Sequence, residues 1–263
     1  MLVLRRRLFW FLLALGMINF LFLFATIYLK AELSAQNPDI ARFVDRILDS
    51  VSGEGRTYRD FMFAQGTVTM LLLGLAGEML VGNDFRHGGL IYYLSRRLGR
   101  RHYLTGKLLA SLTIVWLITT LPALVLFVQY GLLTKSFDYF WDNWQIVVGI
   151  LGYGLCMGIP LSLVLFALAA WLQRTVPLLM AWAGLFLFLP VVGALLREIH
   201  DDRRWYLLNL WRNIRLLGTW CFGGLSREQD QQLLIPAVAI VLGVCLVTLL
   251  VSIVRIRAVR VVT

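Results

Sequence analysis

The feature of this sequence that most constrains its fold is a set of long runs without charge. Five stretches of more than twenty residues contain no Asp, Glu, Lys or Arg, and a sixth contains a single acid, Glu78. An α-helix needs about 20 apolar residues to cross the hydrocarbon core of a bilayer. The sequence therefore predicts an all-α integral membrane protein with six transmembrane helices in one domain, 1–263. The predicted spans are about 8–29, 61–81, 108–133, 146–172, 176–196 and 233–254.

Composition supports the same class. Only 15% of the residues are charged, and the mean hydropathy is +0.76, whereas soluble domains carry about 25% charged residues. A soluble enzyme and a disordered chain are both excluded. The net charge of +10 would suggest nucleic acid as the partner of a soluble protein, but in a membrane protein it predicts contact with lipid and no nucleic acid.

The distribution of basic residues predicts the orientation. Arg5, Arg6 and Arg7 precede an apolar run of 22 residues, which is longer than the core of a cleaved signal peptide and indicates a retained first span. If both termini are cytoplasmic, the short inner segments hold 13 Lys and Arg with one acid, and the outer segments 30–60, 134–145 and 197–232 hold 12 with 13 acids. Positive charge is thus denser inside. We expect a multi-pass protein of the bacterial cytoplasmic (inner) membrane with both termini in the cytoplasm.

Two outer segments have helical patterns. In the first, a cap at Asn37 and Pro38 precedes one apolar face over 40–51, which predicts a helix on the membrane or, as the alternative, a lid. In the last, an apolar arc and a polar arc lie on opposite sides of a helix over 205–217, which predicts one interfacial or re-entrant helix with an aromatic belt. The predicted element comprises Trp205, Leu207, Leu210, Trp211, Ile214 and Leu217, of which the last five share the apolar arc, and the polar arc holds Asn209, Arg212, Asn213 and Arg215.

Small residues and prolines mark the predicted fourth span. Gly154 and Gly158 are spaced for close helix packing, and Pro160 follows them. This pattern predicts a packing surface, with a hinge for alternating access as the alternative.

The sequence contains few residues that carry chemistry. It has no zinc-protease motif and no nucleophile turn, its three histidines fall on both sides of the membrane, and its three cysteines predict neither a disulfide framework nor a metal site. The run from Gly99 to Lys107 departs from a P-loop in spacing, and Leu108 replaces the Ser or Thr that would hold magnesium. We therefore expect no enzyme activity, no cofactor and no metal in this chain.

The most informative segment lies between the second and third predicted spans. Gly88 and Gly89 punctuate it, and an apolar helical stripe follows, surrounded by arginines. The stripe comprises Leu90, Ile91, Leu94 and Leu98. A basic loop that rests on anionic lipid is one interpretation. A loop in solvent needs no apolar stripe, however, and a helix that inserts into a groove of a partner protein does.

This segment resembles the corresponding region of ABC-2-type permeases, the membrane subunits of type V ABC transporters. That family has an acidic turn, Arg-x-Gly-Thr, an apolar stretch, Leu-Ser-Arg-Pro, a further Arg, and Gly-Lys at the start of the next span. The matching residues are Asp84, Arg86, His87, Gly88 and Gly89, then Leu90, Ile91, Tyr92 and Tyr93, then Leu94, Ser95 and Arg96, then Arg100, Arg101, Gly106 and Lys107. Gly89 and Arg97 stand where Thr and Pro are usual.

The resemblance implies a pathway formed by two permease subunits above two ATPase subunits, which bind ATP and magnesium. It implies that 88–98 is a coupling helix seated in the ATPase, that Asp84, Arg86, Arg96 and Arg100 are polar contacts to the ATPase, and that 205–217 is the outer re-entrant element. The second permease subunit is a copy of this chain or a related chain. Because the spans contain few polar groups beyond Asn19, Gln65, Thr67, Thr69 and Thr113, a lipid-like or amphipathic substrate is expected.

Two other functions remain open from the sequence. An ion-coupled secondary transporter needs charged residues within its spans, and Glu78 is the candidate here. A membrane anchor or scaffold that assembles a larger complex without transport is the other alternative.

Overall fold

The computed structural model describes residues 7–36, 53–77, 81–86, 99–133, 137–225 and 228–257, which are helical almost throughout and contain no strand. The predicted helix over 40–51 lies outside these ranges. The α-helices are α1 (Arg7–Gln36), α2 (Gly55–Gly77), α3 (Asn83–Arg86), α4 (Arg100–Ile118), α5 (Thr120–Leu133), α6 (Asp138–Asp142), α7 (Trp144–Leu172), α8 (Thr175–Ala183), α9 (Leu189–His200), α10 (Leu210–Cys221) and α11 (Glu228–Arg257).

Four helical stretches in the described part of the chain are long and apolar enough to cross a membrane. They are Arg100–Leu133, Trp144–Leu172, Thr175–His200 and Asp230–Ile256, and they contain predicted spans three to six. Predicted spans one and two lie largely on α1 and α2, whose crossing of the membrane stays a prediction.

The long helices alternate in direction between two ends of the molecule. We call one the Asp84 end, where Asp84 lies beside Lys107, and the other the hairpin end, where Gly55 lies beside Phe222. The helices α1, α4–α5 and α8–α9 run toward the hairpin end, and α2, α7 and α11 run back. Within this bundle, the Gln65 amide of α2 donates to the Gly16 carbonyl of α1 at 3.0 Å, a polar contact of the kind that joins helices in lipid.

Two of the helical stretches are interrupted next to a proline. Thr119 separates α4 from α5, because Pro122 has no N–H to donate to the Ile118 carbonyl one turn earlier. A π-helical turn over Gly184–Phe188 joins α8 to α9 just before Pro190, where the same missing donor favours a wider turn.

An aromatic cluster closes the hairpin end where α2, α5 and α6 meet. Tyr139 of α6 packs on Phe127 and Tyr130 of α5. Burial raises the pKa of Tyr139 to about 12. Its hydroxyl therefore keeps its proton at neutral pH and donates to the Gly53 carbonyl at 2.8 Å, which fixes the chain just before α2.

The helix α7 lies at the centre of the bundle. It packs against α2, α4, α5, α8, α10 and α11, and most of its residues are buried. Its glycines admit these neighbours at short distance: a β-carbon on Gly149 would lie 2.8 Å from the Phe222 ring, and one on Gly154 or Gly158 would overlap Thr120 or Leu112. The prediction that Gly154 and Gly158 form a packing surface is confirmed.

The glycine packing predicts an unequal pair of substitutions. Gly154→Ala places a methyl group against the buried Thr120, and we expect it to lower the free energy of unfolding by about 1–3 kcal/mol through overpacking. Gly243→Ala in α11, where nothing lies within 4 Å of the added carbon, is the control and should be neutral or stabilising by up to about 1 kcal/mol. Unfolding in detergent, followed by circular dichroism, measures both, and equal effects would contradict this packing.

Candidate functional site

Of the residues predicted to couple to an ATPase, Asp84, Arg86 and Arg100 belong to the described part of the chain. Asp84 and Arg86 lie on α3, and Arg100 is exposed at the first position of α4. The remaining predicted residues lie outside the described ranges, so their roles stay predictions: Gly88, Gly89, Leu90, Ile91, Leu94, Ser95, Arg96 and Leu98. Glu78 lies outside them as well.

A polar junction joins the chain on the two sides of segment 87–98. The Asp84 carboxylate lies 2.8 Å from the Lys107 ammonium, and the Tyr103 hydroxyl donates to the same carboxylate oxygen at 2.9 Å. Both partners belong to α4, so α3 and α4 are tied where the segment leaves and returns. Asp84 is thus engaged within its own chain, and its predicted contact with an ATPase stays a prediction. Residues 100–107, compared above with a P-loop, are helical.

Aromatic side chains pack this junction against the rest of the bundle. The rings of Phe85, Tyr103 and Phe166 pack edge to face, with centroids 6.3–6.4 Å apart, and Phe166 belongs to the central helix α7. From α11, Arg255 lies over Trp171 at 5.3 Å and donates to the Ala170 carbonyl at 3.2 Å. A displacement of α3 would therefore push on α4 and α7 together.

The junction predicts a measurable energetic coupling between Asp84 and Lys107. The two side chains are only 18% and 24% exposed, so water screens the pair less than it screens a surface pair. A double-mutant cycle with Asp84→Asn and Lys107→Met, measured by unfolding in mixed micelles, should give about 1 kcal/mol of coupling.

The exposed pair Arg56 and Asp60 supplies the control for that cycle. These side chains are 80% and 48% exposed and 3.9 Å apart, and the cycle with Arg56→Gln and Asp60→Asn should give less than about 0.3 kcal/mol. Equal coupling in the two cycles would show that the Asp84 junction has no special role.

At the opposite end, residues 201–225 form a helical hairpin, defined here as the 3₁₀ helix Arg203–Leu208 followed by α10. The sequence predicted one helix over 205–217, and this prediction is wrong, because the helix is interrupted at Asn209. The reason is local, because the Asn209 side chain accepts from the Arg212 amide at 3.0 Å and caps α10. The outer element is therefore two short helices.

The hairpin is folded back against the core of the bundle. Leu210, Ile214 and Leu217 of α10 are buried, as the apolar arc predicted, while Trp205 and Leu207 are half-buried on the 3₁₀ helix. Trp211 stacks on Phe63 of α2 at 5.5 Å. Gly218 lies against the Tyr153 ring, and Phe222 against Gly149, both on α7.

The prediction that Asn213 lies on a polar arc with the arginines is wrong. Asn213 is 2% exposed, and its amide donates to the Leu207 carbonyl at 2.8 Å. The Asn213 side chain therefore joins the two arms of the hairpin, and Arg212, Arg215, Leu216 and Thr219 form the outer face of α10, which lines a cavity described below.

The contact between α10 and α7 predicts a cross-link. The Cys221 thiol lies 3.3 Å from where a β-carbon on Gly152 would stand, one turn of α7 before Cys156, so the two thiols are neighbours, a proximity that the spacing of the three cysteines did not reveal. Mild oxidation of the purified protein with copper phenanthroline should join Cys156 to Cys221, as read by mass spectrometry of a digest. Cys245→Ser should leave this product unchanged and Cys221→Ser should remove it. A main product that contains Cys245 would contradict the hairpin position.

The hairpin and α2 enclose a basic cavity of about 860 Å³, which we call the arginine cavity. Two stripes line it, one from α2 and one from the outer face of α10, and the start of α11 completes it. The lining side chains that the chemistry depends on are Arg56, Arg59, Phe63, Trp211, Arg212, Arg215, Leu216 and Asp230.

The arginines of this cavity have different partners. Arg59 pairs with Asp60 at 2.8 Å. Arg212 instead lies over the Tyr206 ring at 3.6 Å and Arg215 over the Phe63 ring at 4.2 Å. Within the described ranges, no carboxylate lies within ion-pair distance of Arg212 or Arg215.

The sequence did not predict this cavity. Arg212 and Arg215 share a predicted arc, but Arg56, Arg59 and Phe63, which follow helical spacing on α2, belong to no predicted site. Two basic stripes in two outer segments were the available signal, and their proximity depends on the tertiary fold. Among the described residues, no group of three His, Cys, Asp or Glu side chains is placed to hold a metal.

Comparisons with known proteins add no assignment. No protein-family model matches the chain, and no curated protein or solved structure matches it.

Proposed function

We propose that this chain is the membrane-spanning permease subunit of an ABC transporter of the ABC-2 type. Two such subunits, identical or related, form an export or extraction pathway in the bacterial inner membrane, with both termini in the cytoplasm. A separate ATPase subunit binds ATP and magnesium and drives the pathway. The chain itself has no enzymatic role and converts the motion of the ATPase into movement of the helices.

The observation that carries the proposal is the Asp84 junction. A coupling helix must be anchored at both of its ends if a force applied to it is to move the membrane helices. Segment 87–98 leaves from α3 and returns to α4, and the contacts of Asp84 with Lys107 and Tyr103 join these two points. Phe85 and Phe166 extend the anchorage to α7, the helix against which the others pack.

The helical layout supports the same proposal. The long helices alternate in direction, and both ends of the described chain lie at the Asp84 end, as a six-span permease would require. The hairpin between α9 and α11 fits the outer re-entrant element expected between spans five and six. On the exposed faces of α9 and α11, large apolar residues are available to lipid or to a second permease subunit.

The proposal predicts that the apolar stripe of the coupling segment binds the ATPase. Leu94→Asp together with Leu98→Asp should reduce recovery of the co-purified ATPase, and ATP hydrolysis by the complex, by about tenfold or more, because two apolar anchors at an interface are lost. Phe137→Asp with Trp141→Asp, at positions 80% exposed at the opposite end, is the matched control and should leave both quantities unchanged.

Two results would contradict the proposal. One is that wild-type protein recovers no ATPase from its native membrane. The other is that the Leu94 and Leu98 double variant, inserted normally, recovers as much ATPase as the control.

A further inference from the structure

Among the residues that the structure describes, the lining of the arginine cavity is richer in basic than in acidic side chains. Four described arginines line it, and Asp230 is the described acid in the lining. Asp60 compensates Arg59 at 2.8 Å and lies 3.9 Å from Arg56, which leaves Arg212 and Arg215 with aromatic partners. Like charges gathered in a cleft with apolar walls concentrate a positive potential and attract an anion.

Arg212 and Arg215 each stack on an aromatic ring, which leaves the edges of their guanidinium groups available to bind oxygen. A cation over a ring uses the face of the guanidinium, so the N–H groups around its rim remain available. This planar fork matches the oxygens of a phosphate. Arg212 and Arg215 lie one turn apart on the same face of α10, which allows both to contact one anionic group.

The cavity is larger than a phosphate ion needs and has an apolar wall. Its volume of about 860 Å³ lies in the range of sites for small organic molecules. Phe63, Trp211 and Leu216 line it beside the arginines, and the first two rings are stacked at 5.5 Å. A ligand that satisfies both parts of this lining carries an anionic group and a hydrocarbon group in one molecule.

We infer that the arginine cavity binds an amphiphile whose phosphate headgroup carries a net negative charge, with its phosphate oxygens held by Arg212 and Arg215 while Phe63, Trp211 and Leu216 contact its apolar part. The inference concerns binding by this chain alone. It does not depend on an ATPase or on transport.

Titration of the purified protein in a neutral detergent tests it, with dioctanoyl phosphatidylglycerol as the probe. Dioctanoyl phosphatidylcholine has the same chains and a zwitterionic headgroup, and inorganic phosphate has the anion without the chains. We expect the wild-type protein to bind the phosphatidylglycerol about tenfold or more tightly than either, because each comparison removes one of the two contributions. Its affinity should fall as sodium chloride rises from about 50 to 500 mM.

Variants locate the binding. Arg212→Gln with Arg215→Gln should weaken phosphatidylglycerol binding by about tenfold or more, since two charge-assisted contacts are lost. The control is Arg203→Gln with Arg204→Gln, which removes the same charge from a neighbouring cavity of about 620 Å³ and should change the affinity by less than about twofold. Circular dichroism and the Cys156–Cys221 cross-link report whether each variant keeps its fold.

Three results would overturn the inference. Equal affinity for the two lipids would remove the role of charge, and equal affinity for inorganic phosphate would reduce the cavity to a site for free anions. Equal loss in the two double variants would show attraction by general surface charge. Because no ATPase is present, none of these results bears on the proposed function, and loss of ATPase recovery leaves the lipid titration unaffected.

Discussion

The structure depends on how closely other helices approach α7. Where hydrocarbon surrounds a bundle, helices gain little by leaving lipid for one another, and association relies on van der Waals contact and short polar links. The glycines of α7 provide that contact on two faces. Gly149 and Gly152 receive Phe222 and Cys221 of the hairpin region, while Gly154 and Gly158 receive Thr120 and Leu112 of α5 and α4. A larger side chain at these positions would separate the elements that form both ends of the molecule.

This arrangement makes α7 the physical connection between the two candidate regions. At the Asp84 end, Phe166 packs on Phe85 and Tyr103; at the hairpin end, Tyr153 packs on Gly218. Phe166 lies thirteen positions after Tyr153 on the same continuous helix, and Pro160, which is buried between them, is where such a helix bends most easily. Phe85 of α3 is therefore linked to the hairpin through the packed residues of α7, which is the connection that the proposed function requires.

The sequence predicts the parts of the fold that arise from local pattern. Long uncharged runs predict the helices from Arg100 onward, and the spacing of Gly154 and Gly158 predicts a packed surface. The prediction of a single helix over 205–217 is wrong because an asparagine such as Asn209 is compatible with two positions. It can lie on the polar face inside a helix, or it can cap the start of a new helix. Asn213 fails as a member of the polar arc for a related reason, since the Leu207 carbonyl that accepts from its amide comes within reach only when the helix is interrupted at Asn209. The arginine cavity could not be predicted, because α2 and α10 are more than 130 residues apart in the chain.

The two faces of α10 argue that the hairpin does more than pack. Its inner face, with Leu210, Ile214 and Leu217 buried, is sufficient to seat it on the bundle. An outer face buried in hydrocarbon would also be apolar, since arginine within the hydrocarbon core is costly. Arg212 and Arg215 are instead held over aromatic rings beside a cavity. Because both side chains line the cavity, their hydrogen-bond donors lie within reach of a molecule that occupies it. Water alone would accept hydrogen bonds from these donors but would leave the apolar side chains of Phe63 and Trp211 exposed to solvent. A phosphate-bearing amphiphile would accept the hydrogen bonds and also cover the apolar side chains.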